Sequence, residues 1–256
     1  MTIKTVVPSA RYHTVSRKGF ENVQFSDSSE TSLVYPKGID FVSKIDPVNP
    51  FTLESLAESV VFRAEAVGTP EQKSAELYRN TRTTAVYLRD GAGTVLLAFD
   101  DSIDGNLVLS LAQEGYKLNS KTPFEELLLP KSDARVKAFL ERAKKRTHKS
   151  PGNSFSLSLQ GEYSRNKTVK DMLGDSAKVN AQYLRKRNCP EGYVGIVPDT
   201  AVIERAGTDH VLVRPCGLGG DDYYNIDNVY ANDQFNNNGR ARGIVIASSK
   251  KIGTSL

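Results

Sequence analysis

The chain has 256 residues, 39% of them hydrophobic and 25% charged, enough to bury a substantial core in one large domain or two small ones. Eleven tyrosines and ten phenylalanines exclude global disorder, and no apolar run approaches the roughly 20 residues that a membrane-spanning helix needs. The net charge of +4 is unevenly spread: from Lys131 to Asn188, 15 bases face five acids, so this segment carries +10 and the remainder −6, which favours a polyanionic partner.

The opening, Met1 to Pro8, lacks an apolar core of signal-peptide length, so the expected compartment is the cytoplasm, for a cellular protein or for a virus or phage product assembling there. Cys189 and Cys216 stand 27 residues apart with no second pair to complete a zinc site, and they read as two idle thiols. No cofactor is expected.

Residues 1–50 lack clear periodicity; Pro8, Pro36, Pro47 and Pro50 suggest an extended arm or short edge strands. An α+β region over 51–149 follows. Leu53, Leu56, Val60 and Val61 recur at helical spacing up to Gly68. Thr69, Pro70 and Gln72 form a capping box, predicting a second helix to about Asn80. Thr83–Leu88 and Thr94–Phe99 flank Asp90-Gly91-Ala92-Gly93 as a β-hairpin. Leu107–Ala112 fits strand or helix equally. Another capping box, Thr122 to Glu125, predicts a short helix ending at Pro130. Ser132 then caps a longer one with Val136, Phe139, Leu140 and Ala143 on its apolar face and Lys144, Lys145 and Arg146 at its end.

The loop around Ser150-Pro151-Gly152 is the best boundary, opening a 150–256 region of basic helices and a small β-rich part, which can be continuous with 51–149. Phe155–Leu159, Tyr193–Val197, Ala201–Glu204, Val211–Val213 and Ile244–Ala247 read as strands. Gly217–Asn238 is rich in Gly, Asp and Asn, with weak periodicity.

Between them, Asn166 to Arg187 reads as two short helices about a tight turn. Val169, Met172 and Leu173 give the first an apolar face, Gly174 turns the chain, and Asp175 or Ser176 caps the second, which Val179 and Tyr183 pack inward. Residues 167–187 resemble a helix-turn-helix DNA-binding unit. The resemblance implies that Lys178, Asn180 and Gln182 face base edges in the major groove. Lys167, Lys170, Arg185, Lys186 and Arg187 would contact phosphates, joined by Lys144, Lys145 and Arg146 on the same basic segment. That family commonly places alanine in the middle of its first helix, where Lys170 or Asp171 falls here. Leu173-Gly174-x-Ser176 with Tyr183 also resembles the end of a tyrosine recombinase domain, but Asp175 holds the position of its histidine and no His-x-x-Arg occurs.

Asp100-Asp101-Ser102-Ile103-Asp104-Gly105-Asn106 resembles the first half of a calcium loop, making Asp100 and Asp104 candidate metal ligands, but Leu111 stands where the bidentate glutamate belongs. Asp221, Asp222 and Asp227 are a further acidic cluster that can join them in a metal-dependent enzyme. Gly217-Leu218-Gly219-Gly220 follows a strand like a phosphate cradle, yet Asp221 and Asp222 oppose phosphate. His13, His148 and His210 have no partner at triad spacing, so no catalytic residue is assigned. The sequence therefore predicts an α+β nucleic-acid-binding protein, with DNA favoured over RNA, no membrane partner, and a structural or assembly subunit forming homo-oligomers as the alternative.

Overall fold

The computed structural model describes residues 12–46, 50–113, 127–221, 226–232 and 238–246. The chain passes through β1 (Tyr12–Thr14), β2 (Val23–Ser28), β3 (Leu33–Val34), α1 (Tyr35–Ser43), β4 (Thr52–Leu53), α2 (Leu56–Glu65) and α3 (Gln72–Ala75), then the hairpin β5 (Arg79–Arg89) and β6 (Val95–Asp100). Helix α4 (Leu107–Gln113), β7 (Leu127–Pro130), α5 (Ala134–Ala143), β8 (Thr147–Lys149) and β9 (Phe155–Ser158) lead to the helical pair α6 (Lys167–Leu173) and α7 (Ser176–Lys186). The last third holds β10 (Glu191–Gly195), α8 (Asp199–Ala206), β11 (His210–Asp221), β12 (Ile226–Tyr230), β13 (Asn238–Gly239) and β14 (Arg242–Ile246).

Eight strands form one mixed sheet in the order β8-β6-β5-β11-β12-β10-β9, and β7 shares the edge of β11 that β12 uses further along. The β10–β12 pairing is parallel and the rest are antiparallel. The sheet curls into a half-barrel, and among the described residues strand, at 32%, is about as abundant as helix, at 34%. This overturns the expected α+β layout of a mixed N-terminal region, a basic helical segment and a small β-rich end. The physical reason is non-local pairing: β11, from the last third, lies at the centre and bonds along its length to β5, from the middle of the chain.

Both faces of this sheet are covered, which explains why β5 reads as a nearly unbroken buried run. Successive residues point to opposite faces. Ala85 and Tyr87 face α2, α6, α7 and α8, packing with Leu56, Val60, Met172, Leu184 and Val202. Val86 faces the other way, with Val211 and Val213, onto Leu107 of α4 and Val136 and Phe139 of α5. Each such side chain contributes about 1.5–3 kcal/mol by leaving water. A smaller sheet, β1-β2-β14-β4, joins the two ends of the described chain and packs Val23, Phe25 and Ile244 on Val61 and Phe62 of α2. Helix α2 starts in a capping box: Ser55 Oγ accepts from the Glu58 amide, and Glu58 Oε2 accepts from the Ser55 amide.

Four local expectations are corrected. The helix predicted from Thr69 to Asn80 is one turn, because Gln72 reaches Gly68 N–H at 2.8 Å and Arg79 already begins β5. Leu127–Pro130 is a strand, paired to His210–Val213, where a helix end was expected; the capping box at 122–125 lies outside the described residues. Ala201–Glu204 belongs to helix α8, whose Val202 and Ala206 are buried four residues apart, one turn of helix. Gly217 to Gly220 runs inside β11, where Gly219 lies against Tyr78 so closely that a Cβ would stand 2.3 Å from its ring. The stop of helix α2 and the 83–99 hairpin fall where the pattern placed them.

Candidate functional site

The two basic helices are present, but they serve the core. Gly174, at φ 56°, ends α6 in a backbone region that glycine tolerates. Val179, Tyr183 and Leu184 of α7 are buried with residues of α2. Lys178, Gln182 and Arg185 recur at i, i+4 and i+7 on the exposed face, with Lys170, Lys186, Lys144 and Lys145 also exposed. Asn180, expected at base edges, is 1% exposed and donates through Nδ2 to Tyr163 Oη at 2.8 Å. Other cations have internal partners. Arg146 donates to Asp171 O at 2.6 Å and to Asp101 Oδ1 at 2.7 Å. Lys167 pairs with Asp171, and Arg187 Nη1 lies 3.5 Å from Glu76 Oε1.

Asp171 also meets His148, whose Nδ1 lies 2.7 Å from Asp171 Oδ2 and whose Nε2 lies 2.9 Å from Thr168 Oγ1. Burial lowers the pKa of this ring below the ordinary histidine value, against the opposing pull of the Asp171 carboxylate. The arrangement ties α6 to β8 and leaves the Thr168 hydroxyl buried.

Asp100 is buried, and its Oδ2 accepts from Arg142 Nε at 3.0 Å and from Ser102 Oγ at 2.8 Å. Asp104 is exposed nearby, and among the described residues no three His, Cys, Asp or Glu converge on a metal site. Asp222 of the second acidic cluster lies outside the described residues. Among the described residues no helix is long and apolar enough to cross a membrane.

A different set of side chains converges instead. An open cavity of about 550 Å³ lies where β2, the α2–α3 turn and the segment 240–242 meet. Its lining brings together His13, the carboxylates Asp27, Glu30 and Glu71, the hydroxyls of Ser28, Ser29 and Ser74, the exposed Leu77, and the cations Lys73, Arg240 and Arg242. The small sheet positions the strand residues, because β14 pairs Arg242 with Ser28. His13 Nε2 lies 2.7 Å from Asp27 Oδ1, and its Nδ1 is 4.0 Å from Glu71 Oε1. The Ser28 and Ser74 hydroxyls hydrogen-bond at 2.7 Å, and Arg240 Nη1 donates to Ser29 O at 2.9 Å. A side niche of about 100 Å³, sharing His13 and Glu71, reaches the Phe62 ring.

Behind the cavity sits buried charge. The Arg242 guanidinium stacks 3.6 Å above the Phe62 ring, and its Nη1 is 3.9 Å from Glu54 Oε2, beyond hydrogen-bond reach. Arg79 is wholly buried and donates through Nη2 to Ser74 O. Burial first, and then the Arg242 charge, hold the Arg79 pKa well below the usual guanidinium value; burial likewise lowers Arg242 and raises the Glu54 carboxyl. Composition gave no sign of this site, since its members come from positions 13 to 242. The one available signal was the Arg240-Ala241-Arg242 spacing beside an apolar strand.

No family model matches the chain, and no curated protein does. A solved structure does: a Nanoarchaeota protein of the C-type lectin fold, described as accommodating massive sequence variation, superposes with a TM-score of 0.58 at 10% identity, over 93% of this chain and 100% of that one. The likeness is one of fold. It overturns the helix-turn-helix DNA-binding assignment, because the helical pair is one covering layer of a C-type-lectin-like sheet.

Proposed function

We propose that this chain is a recognition protein that binds a small polar ligand in the cavity between β2, the α2–α3 turn and residues 240–242. The observation that carries the reading is convergence: hydroxyls, carboxylates, an imidazole and guanidinium groups from four distant segments meet around one open volume. The walls lie outside the large sheet, whose two faces carry most of the core. A rim of this kind tolerates exchange of side chains without disturbing the scaffold, which accords with the sequence variation described for the Nanoarchaeota structure of similar fold.

The test is binding of a panel of neutral saccharides, free amino acids and small organic oxyanions, by thermal shift and then calorimetry. Leu77→Trp, an exposed rim position, supplies a bulky group to fill the cavity. At least one class binds the natural chain saturably, and the filled variant binds it roughly tenfold more weakly or worse. A panel without a single binder, or binders held equally by Leu77→Trp, overturns the proposal.

A further inference from the structure

Resting on that cavity reading, we propose that the side niche sets specificity: it takes a short, uncharged, branched aliphatic group of the ligand, while the polar remainder occupies the main cavity. The niche measures about 100 Å³ and joins the cavity at His13 and Glu71, which line both. Its floor is hydrocarbon. Val15, Phe62 and Ala66 line it, and all three are buried in the core beneath the small sheet. That floor is held in place: the Phe62 ring packs 5.0 Å from Phe25, meets the His13 ring edge-on at 5.8 Å and carries the Arg242 guanidinium at 3.6 Å.

The polar groups around the niche are committed elsewhere. His13 Nε2 lies against Asp27 Oδ1 at 2.7 Å, and Glu65 Oε1 accepts from Arg17 Nε at 3.2 Å and Nη2 at 3.1 Å. Thr69 Oγ1 donates to Ala66 O at 2.8 Å and accepts from the Glu71 amide at 3.3 Å. The Glu71 carboxylate lies in the field of Arg242, and the exposed Thr14 completes the lining. A charged or hydrogen-bonding group entering here has to displace one of these pairings, whereas a hydrocarbon group only has to leave water. The main cavity makes the opposite demand. Its carboxylates Asp27, Glu30 and Glu71 are matched in number by Lys73, Arg240 and Arg242, so it suits a group that both donates and accepts and carries no net charge. Volume sets the size: an apolar cavity of roughly 150 Å³ takes benzene, so the niche, at about 100 Å³, takes about four carbons and excludes a phenyl ring.

The probes are primary amides of growing substituent, namely formamide, acetamide, isobutyramide and benzamide, titrated into the whole chain and followed by NMR chemical shifts. Expected is tightening from formamide to isobutyramide, about fourfold for each added methylene-sized group, and a loss at benzamide. Ala66→Leu fills the niche from the end of α2 and removes the advantage of isobutyramide over acetamide. Val15→Ala enlarges the niche, moves the optimum towards benzamide, and serves where Ala66→Leu fails to fold. Affinity that does not vary along the series, or a size preference unchanged in a folded variant, overturns the inference. If a compound of the earlier panel binds and Leu77→Trp weakens it, while the amides bind without regard to size or not at all, the inference falls and the cavity reading stands; if neither set binds, both fall.

Discussion

Replacing Arg82 with methionine tests the buried Arg82–Glu58 pair. Arg82 projects from β5 and donates from Nε to Asp101 O at 2.9 Å, from Nη1 to Leu53 O at 2.7 Å and to Glu58 Oε2 at 2.6 Å, and from Nη2 to Glu58 Oε1 at 2.8 Å. The two side chains are only 6% and 9% exposed. Methionine keeps the length and apolar stem but leaves Glu58 charged and buried, with the Ser55 amide as its remaining donor in this group of bonds. Removing one partner of a buried pair costs about 3–5 kcal/mol, mostly the desolvation of the charge left behind. Adding Glu58→Gln removes that charge while keeping an oxygen for the cap, so the double variant recovers about 2 kcal/mol of the loss. The chain contains no tryptophan, so urea unfolding is followed by far-ultraviolet circular dichroism. A loss below about 1 kcal/mol for Arg82→Met, or strictly additive single effects, would refute the reasoning, since it rests on a dry site with an uncompensated carboxylate.

Gly192→Ala places a Cβ 2.3 Å from Tyr163 Cδ2, beneath a fully buried ring, and lowers stability by about 1–3 kcal/mol through overpacking; an unchanged urea midpoint contradicts the tight β10–Tyr163 contact. The His148 ring, depressed by burial, binds its proton less readily folded than unfolded, so its contribution is full above the unfolded value of 6.5 and is lost as pH falls through the lower folded value. His148→Gln therefore flattens the fall in urea midpoint on acidification from pH 8 to pH 5, and identical slopes in both proteins exclude this role.

Local signals carried the parts of the fold that local chemistry determines. The apolar spacing of α2, the hairpin about Asp90–Gly93 and the apolar face of α5 all follow from spacing within a few residues. The sheet order does not, because β5 and β11 pair across more than a hundred residues and β11 itself contains Pro215 and three glycines that mimic a loop. Pro215 is accommodated where the register shifts before Gly217, and Gly219 admits the Tyr78 ring. Charge misled for a related reason. Arg63, Arg79, Arg82 and Arg242 are interior, outside the basic segment that drew attention, and no local pattern distinguishes a buried guanidinium from a solvated one. The cavity was illegible because His13 and Arg242 become neighbours only through the β2–β14 pairing.

That pairing has a consequence for synthesis. Strand β14 slots between β2 and β4, so the groove exists only after residues 240–246 have emerged from the ribosome and threaded into a gap framed by the earliest-made strands. Until then the eight-stranded scaffold can consolidate around β5 and β11 without the cavity. Proteolytic loss of residues 240–246 would remove Arg240 and Arg242 from the cavity wall and the pairing that joins β2 to β4.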